Sequence, residues 1–359
     1  MSGAAPQPER RAWVIGCGLI GGSLASGLTQ RGWHVSVTDS DDSTVRIALD
    51  KGYAQEARPD PDASIVFCAT PVGVIPAIAA EALAVCAGVV TDVGSTKGQV
   101  VEAVTHERFV GGHPMAGSEQ DGIAGADPDL FVGATWVLTP RPDTEARIFS
   151  TVRGVVRSLG AEVLTMPART HDEMVAQVSH VPHLTAAALM NLADESSVEH
   201  RALLRLAAGG FRDMTRISAG RPSIWPDIIS SNTTSIAAGL DSLIDRLTAI
   251  RAAVKDGRSD ELLATLERAR IARINLPTGI TPSDRLVEFA IPIPDRPGEI
   301  AAIATLATEL DVNIHDIELT HSGEGRRGVM LLFTDESARD LLVGGLIAKG
   351  YRPTVRSLD

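Results

Sequence analysis

The stretch "VIGCGLIGGSLA", residues 14–25, carries glycines in the spacing G-x-G-x-x-G, at Gly16, Gly18 and Gly21. An apolar run precedes it, a helix-like segment follows it, and a second strand-like run ends at Asp39, 18 residues after Gly21. In a strand–turn–helix unit the first glycine permits a tight turn, the second lets a pyrophosphate approach the backbone, and the third lets the helix pack closely. The pattern predicts a dinucleotide site.

The residues near this turn indicate which dinucleotide binds. We expect N–H groups at the helix start, near Leu19 and Ile20, to bind the phosphates. Thr70 and Pro71, in the loop after a later strand, are expected to contact the cofactor too. Asp39 can accept hydrogen bonds from a ribose diol and would repel a 2′-phosphate, since no arginine directly follows it. The sequence therefore favours NAD over NADP, and a carboxylate that only closes a turn is the alternative for Asp39.

Three zones of composition predict three domains. Residues 10–169 alternate short β-branched runs with helix-like segments, which indicates a Rossmann-type, doubly wound parallel sheet. Residues 170–282 show apolar residues at helical spacing and predict an all-α domain. Residues 286–359 read as βαββαβ, the ferredoxin-like order. The expected fold is therefore α/β with a helical middle and a small C-terminal sheet.

The composition excludes several classes of partner. The chain has 45 acidic against 33 basic residues, a net charge of −12, so we expect no nucleic acid and no anionic membrane surface as partner. The start of the chain lacks the apolar run of a signal peptide, and no stretch of about 18 apolar residues occurs. Three irregularly spaced cysteines suit neither a disulfide framework nor a metal site. These features predict a soluble cytoplasmic protein without a bound metal.

The loops after the later strands should converge beyond the carboxyl edge of the sheet, where ligands bind in such folds. His113 is the candidate general base, because an imidazole titrates near neutral pH, and the small residues around it would let a ligand come close. Ser95 is expected to orient this imidazole or the nicotinamide amide. Lys97 is either a functional group or a solvated loop lysine. A core or loop-stabilising histidine is the alternative for His113.

The helical zone offers a second set of polar side chains. His180 and His183 are three residues apart and share a helix face, whereas His171 lies half a turn away from His180 unless the helix is bent. Arg212 and Arg216 are four residues apart and suit a carboxylate, or a salt bridge within the protein. We see no ligand spacing that predicts a metal site.

Five motifs together resemble one family. They are "VIGCGLIGGSLA", "TDVGSTKG" (91–98), "GGHPMAGSEQDG" (111–122), "HDEMVAQVSHVPH" (171–183) and "GGFRDMTRIS" (209–218). In order and spacing they resemble the prephenate/arogenate dehydrogenases of tyrosine biosynthesis, over roughly residues 12 to 280. The tail resembles an ACT domain, an amino-acid-sensing module, through "IPDRPGEI" (293–300) and "VNIHDIELTH" (312–321).

The resemblance implies an NAD-dependent oxidative decarboxylation of a cyclohexadienol, with prephenate or arogenate as the small-molecule substrate. His113 matches the family histidine that hydrogen-bonds or deprotonates the hydroxyl, and Ser95 the serine that orients it. Arg216 matches the arginine that binds a substrate carboxylate. The other residues placed at the substrate are Ser118, Glu119, Ser179, His180 and His183. The helical zone would form a homodimer, with Trp225 approaching the partner's pocket.

In the tail, the resemblance implies L-tyrosine as the candidate effector. The carboxylate of an amino acid would meet Arg296 and the helix start at Gly298, and its ammonium would meet Asn313 and Asp316. Asp295 completes this expected set. The expected activity is prephenate dehydrogenase. The alternatives are an arogenate dehydrogenase, a β-hydroxyacid dehydrogenase that uses Lys97 as acid and base, and a catalytically silent sensor of NAD and amino acids.

Overall fold

The computed structural model describes residues 10–117, 120, 122–199, 203–220, 222–276, 286–294, 296–321 and 327–358. The chain forms two compact units, residues 1–252 and 253–359. The first unit contains both the large sheet and most of the helical segment. The division into three domains at residues 169 and 282 stays a prediction.

A seven-stranded sheet organises the first part of the chain, in the order β2-β1-β3-β4-β5-β6-β7. The strands are β1 (Arg11–Ile15), β2 (His34–Thr38), β3 (Ile65–Cys68), β4 (Val89–Asp92), β5 (Phe109–Pro114), β6 (Thr135–Thr139) and β7 (Glu162–Thr165). The helices between them are α1 (Leu19–Gln30), α2 (Asp42–Asp50), α3 (Ile75–Val85), α4 (Gly98–Ala103) and α5 (Ala146–Ser158). One buried cluster packs α1 and α5 on the sheet, and a second packs α3 and α4. The doubly wound arrangement predicted from the sequence is confirmed.

The sheet differs from an all-parallel sheet at one point. The strands from β2 to β5 are parallel, but β6 pairs antiparallel with β5, and β7 is parallel to β6. The described residues between β5 and β6 include a 3₁₀ turn, Gly122–Gly125, and no α-helix. A strand that returns to its neighbour without a crossover helix pairs antiparallel.

The middle of the chain is helical, as predicted, and no strand occurs among its described residues from 168 to 276. Its helices are α6 (Ala168–Val175), α7 (Val181–Glu199), α8 (Gly209–Thr215), α9 (Trp225–Ser231), α10 (Thr233–Lys255) and α11 (Ser259–Ile274). A π turn, Ala176–His180, joins α6 to α7, and 3₁₀ turns span Leu203–Leu206, Arg216–Ala219 and Pro222–Ile224. Within the described residues, no helix is both long and apolar enough to cross a membrane.

The C-terminal segment forms a separate four-stranded antiparallel sheet in the order β11-β8-β10-β9. Its elements are β8 (Leu286–Pro294), α12 (Glu299–Glu309), β9 (Asp316–His321), β10 (Arg327–Asp335), α13 (Arg339–Ala348) and β11 (Thr354–Leu358). Both helices contribute to a buried core against β8 and β10. The predicted βαββαβ order is confirmed.

Candidate active site

The three motif glycines are needed for different reasons. Gly16 has a φ of +94°, and a Cβ on it would lie 2.4 Å from the carbonyl oxygen of Ala69. A Cβ on Gly21 would lie 1.8 Å from the carbonyl oxygen of Gly16. Around Gly18, apart from its own backbone and its two neighbours in sequence, no described atom lies within 4 Å of the place a Cβ would take. Packing therefore dictates Gly16 and Gly21, whereas Gly18 borders open space where a ligand can approach the backbone.

Asp39 lies beside this turn, directly after β2. Its Oδ2 accepts a hydrogen bond of 2.6 Å from the backbone N–H of Cys17, and its Oδ1 accepts one of 2.9 Å from Asp41. The carboxylate therefore closes the turn, which is the structural role that the sequence had left as an alternative. Its place next to the glycine turn also suits a ribose, and that role stays a prediction.

A buried hydroxyl in the loop just after β3 shows whether the cleft suits a polar ligand. Thr70 Oγ1 is buried, and among the described residues it has no hydrogen-bond partner. Its Cγ2 would lie 3.2 Å from a Cβ on Gly16, so Thr70 adjoins the glycine turn. Here β1 has β2 on one side and β3 on the other, so the strand order reverses, and ligands bind at such switch points. An orphaned hydroxyl at this place fits a dinucleotide; Pro71 follows it, and Leu19 and Ile20 are half-buried opposite, at the start of α1.

His113 lies near the carboxyl end of β5, where two further residues extend it into a chain of polar contacts. Its Nδ1 is 2.8 Å from Nε2 of His171, and Nδ1 of His171 is 2.8 Å from Oδ1 of Asp172. The sequence had expected Ser95 to orient His113. The residue that meets Nδ1 of His113 is His171, to which the motif spacing assigned no role.

Backbone donors hold Asp172 at the end of this chain. Its Oδ1 and Oδ2 accept hydrogen bonds of 2.7 Å from the N–H groups of Lys97 and Gly98, at the start of α4. Asn232 Nδ2 donates to the carbonyl oxygen of Asp172 at 2.8 Å. The helical segment is thereby tied to the loop after β4. The signal that sequence reasoning missed was a His–Asp pair in the first turns of a helix.

A π turn explains why residues on apparently opposite sides of a helix meet here. His171 and His180 would lie half a turn apart on a regular helix. The π turn Ala176–His180 adds about one residue to the winding, which rotates the later part of the helix by about 100°. Asn232 Nδ2 then lies 3.4 Å from His180 Nδ1 while also bonding Asp172. The sequence required a bent helix to bring His171 and His180 to the same side. The structure achieves this by a local change in helix winding at the π turn.

Desolvation makes three histidines of the site, His113, His180 and His183, poor cations. Desolvation lowers the pKa of His113 well below 6.5, and the neighbouring His171, Lys97 and His180 lower it further. Burial also lowers the pKa of His180 and of His183. Near neutral pH His113 is therefore neutral and has a ring nitrogen with a free lone pair, which is the form that a general base requires.

Lys97 is fully buried and forms an ion pair with Asp92, which is also fully buried. Asp92 in addition accepts hydrogen bonds from the N–H groups of Gly94 (2.9 Å) and Gly112 (3.0 Å). This arrangement excludes the solvated loop lysine that the sequence left open. The available signal was an aspartate ending the apolar run of β4, since such a carboxylate needs a buried partner.

The glycines before His113 serve packing. A Cβ on Gly111 would lie 2.4 Å from Oγ1 of Thr139, and one on Gly112 would lie 2.6 Å from the carbonyl oxygen of Asp92. The idea that these small residues let a ligand approach is therefore wrong for both positions. They let β5 fit between β4 and β6.

The substrate-binding residues expected from the helical segment are partly brought together. The rings of His183 and Trp225 are 4.3 Å apart at 37°, and His180 meets the same indole edge-on at 6.0 Å. A Cβ on Gly220 would lie 3.2 Å from His183 Cε1, so the turn Arg216–Ala219 ends beside that histidine. Arg216, Arg212 and Ser179 are exposed. Trp225, expected at a partner's pocket, packs on histidines of its own chain.

Two expected substrate residues, Ser118 and Glu119, lie outside the described residues. Ser95 is half-buried in the loop after β4. Across the described residues, no group of three His, Cys, Asp or Glu side chains could hold a metal ion. Cys17, Cys68 and Cys86 are all free and buried.

In the C-terminal sheet domain, the expected effector residues already have partners. Arg296 Nε donates to Glu299 at 2.8 Å, and the hydroxyl of Tyr351 donates to the same carboxylate at 2.8 Å. Asp316 accepts a hydrogen bond from the N–H of its neighbour Ile317, and Asn313 lies 3.4 Å from His315. Gly298 is left-handed, with φ +96°, and starts α12 as predicted. Asp295 lies outside the described residues.

Comparisons with known proteins match this chain to one family. A family model described as "Prephenate dehydrogenase, nucleotide-binding domain" matches residues 24–165, and "Prephenate dehydrogenase, dimerization domain" matches residues 167–268. A prephenate dehydrogenase of Bacillus subtilis is 32% identical over 338 residues, which cover 88% of this chain and 90% of that protein. A cyclohexadienyl dehydrogenase of Zymomonas mobilis is 30% identical over 284 residues, 74% of this chain and 95% of that protein.

Solved structures point the same way. The prephenate dehydrogenase of A. aeolicus, in complex with hydroxyphenyl propionate and NAD+, is 27% identical, with a TM-score of 0.71 over 76% of this chain and 100% of that one. The arogenate dehydrogenase of Synechocystis is 29% identical, with a TM-score of 0.67 over 74% of this chain and 100% of that one. The chain is therefore an oxidoreductase that belongs to the prephenate/arogenate dehydrogenase family.

Proposed function

We propose that this enzyme is an NAD-dependent prephenate dehydrogenase, which converts prephenate into 4-hydroxyphenylpyruvate and CO2. When bound, NAD+ supplies the acceptor for the hydride that leaves the carbon bearing the ring hydroxyl. The hydroxyl proton passes to His113, the ring carboxylate leaves as CO2, and its bonding electrons complete the aromatic ring, whose phenolate oxygen then takes the proton back from His113. The gain of aromaticity drives the step.

One observation carries this proposal, namely a half-buried imidazole at the carboxyl end of β5, whose desolvation lowers its pKa and favours the neutral form. His113 Nδ1 is within hydrogen-bond distance of His171, so Nε2 is the nitrogen that faces a substrate hydroxyl. Burial lowers the pKa of His113 and thereby keeps its base form populated near neutral pH. A general base in this state contributes about 10²- to 10⁴-fold to a rate.

The remaining site residues bind the substrate at its two ends. Arg216 binds a carboxylate through its planar guanidinium. His180, His183 and Ser179 lie toward the other end, where Trp225 closes the pocket over the two imidazoles. In addition, Ser95 contacts the hydroxyl or the nicotinamide amide.

The glycine turn would hold the nucleotide. The open space at Gly18 would receive the pyrophosphate, Thr70 Oγ1 would donate to the cofactor, and Asp39 would accept from the ribose diol. The structure of the A. aeolicus relative contains NAD+, which supports the same cofactor here. A negative charge at Asp39 disfavours NADP.

Assembly and regulation complete the proposal. The helical segment exposes large apolar side chains, such as Leu192, Met214, Ile244 and Leu247, each more than half exposed. A homodimer would cover them, in agreement with the dimerization-domain model. The C-terminal sheet is an ACT domain that binds L-tyrosine, whose carboxylate displaces Glu299 from Arg296. Free, buried cysteines support a reducing cytoplasm.

The deciding experiment follows NADH formation by the purified full-length protein with prephenate and with arogenate. We expect prephenate to be turned over with NAD+ at a kcat/KM at least tenfold above that for arogenate. The opposite order would establish an arogenate dehydrogenase instead, and no NADH with either substrate would refute both dehydrogenase assignments.

A further inference from the structure

The contacts of His113 raise the question of which ring nitrogen carries its proton. A neutral imidazole has one donor and one acceptor, and only the form with a bare Nε2 can take a proton from the substrate. Nothing on His113 itself selects this form. The selection must come from the group that meets Nδ1, which is Nε2 of His171 at 2.8 Å.

The direction of each hydrogen bond depends on the far end of the chain. Ionised Asp172 offers only acceptors, so its contact with His171 Nδ1 at 2.8 Å requires a proton on that nitrogen. A neutral His171 with its proton on Nδ1 presents a bare Nε2. That nitrogen accepts from Nδ1 of His113, which leaves Nε2 of His113 without a proton.

We infer that His171 and Asp172 are positioning residues that act in series to keep the proton of His113 on Nδ1 and to turn its bare Nε2 toward the substrate. This inference rests on the proposed function only for the identity of the proton that Nε2 accepts. Neither residue contacts substrate in this arrangement. They act through His113 alone.

The burial of His171 and Asp172 and the anchoring of Asp172 keep this series of hydrogen bonds in place. His171 is 1% exposed and Asp172 is 6% exposed, so little water can replace either partner. Backbone N–H groups of Lys97 and Gly98, each at 2.7 Å, fix both carboxylate oxygens. When His113 gains a second proton, the negative charge of Asp172 stabilises the imidazolium through His171. The helical segment thus sets the protonation of a base that belongs to the sheet.

Substitution at His171 gives the sharpest test. Leucine has a similar volume but no acceptor, so His171→Leu should move the proton of His113 to Nε2. A hydrogen bond to a group linked to a charge, here Asp172, shifts the equilibrium between the two tautomers of His113 by about 10- to 10²-fold. We therefore expect kcat to fall by that factor, with KM for prephenate changed less than about threefold. His171→Gln keeps an oxygen acceptor and should stay within about tenfold of the unmodified enzyme.

Asp172→Ala and Thr96→Ala complete the set. Asp172→Ala removes the charge and should lower kcat to a value between those of the two His171 variants. Thr96→Ala is the matched control. The Thr96 hydroxyl joins the same loop to the helical segment through Ser231, at 2.8 Å, but it takes no part in the hydrogen bonds from Asp172 through His171 to His113. This variant should leave kcat within about twofold of the unmodified enzyme. Circular dichroism would verify that each variant is folded.

Nitrogen NMR of the imidazoles reads the protonation state without any substrate. The chain has nine histidines, and the resonances of His113 are identified by their loss in His113→Asn. We expect Nδ1–H in the unmodified protein and in His171→Gln, and Nε2–H in His171→Leu. The same Nδ1–H form in His171→Leu would overturn the inference. A changed tautomer with unchanged turnover would support the chain while refuting His113 as the base, so the two failures are distinct.

Discussion

Replacing Lys97 by methionine should destabilise the first unit strongly, because it removes one partner of a fully buried ion pair. Both side chains are 0% exposed. Methionine fills much of the same space but leaves the carboxylate of Asp92 without a counter-charge. Breaking a buried pair in this way costs about 3–5 kcal/mol. Two backbone N–H groups, of Gly94 and Gly112, still bond this carboxylate, so we expect the lower end, about 3 kcal/mol.

Urea unfolding followed by tryptophan fluorescence measures this loss, because all four tryptophans belong to the first unit. With a slope of about 3 kcal/mol per molar urea, the midpoint should fall by about 1 M. Arg141→Met is the control, since the ion pair of Arg141 with Asp143 is partly exposed, 24% and 67%, and a pair screened by solvent in this way contributes little to stability. Equal midpoints for the two variants would refute the reasoning. A normal midpoint combined with lost activity would make Lys97 a catalytic group.

Three further predictions concern the site. The acidic limb of the pH profile of kcat should lie below pH 6.5, because the folded protein holds His113 neutral. For the same reason the free energy of unfolding should fall as pH drops below about 6.5, where only the unfolded protein binds this proton. Arg216→Ala should raise KM for prephenate more than it lowers kcat, since it removes a charge-assisted contact with a carboxylate, and steady-state kinetics would show the opposite pattern if Arg216 acted in the chemistry. Asp39→Ala should raise KM for NAD more than KM for prephenate, and efficient use of NADP by the unmodified enzyme would contradict the role given to Asp39.

Local patterns predicted the parts of the site that depend on neighbours in sequence. The glycine turn could be predicted because its three glycines follow one another within one strand–turn–helix unit, although Gly16 also packs against Ala69 beyond β3. The alternation of strands and helices likewise predicted the large sheet and the βαββαβ tail. His113 could be placed at a cleft because strand ends in such sheets share one edge.

Long-range contacts and a local change of helix winding hid the rest. The contact between His113 and His171 joins residues 58 positions apart, and no sequence periodicity predicts such a contact. The π turn Ala176–His180 changes the helix face on which the later histidines lie, so regular spacing misplaced His171. Lys97 was ambiguous because lysine is rarely buried. The direction of β6 depended on a connection without a helix, which composition alone does not reveal.

The most direct test of the proposed mechanism is the kcat of His113→Asn with prephenate and NAD+. Asparagine keeps a polar side chain of smaller size but has no nitrogen that can accept the hydroxyl proton. We expect kcat to fall by about 10²- to 10⁴-fold, with KM for prephenate less affected. A kcat within about threefold of the unmodified enzyme would contradict the mechanism and make His113 a structural histidine of β5.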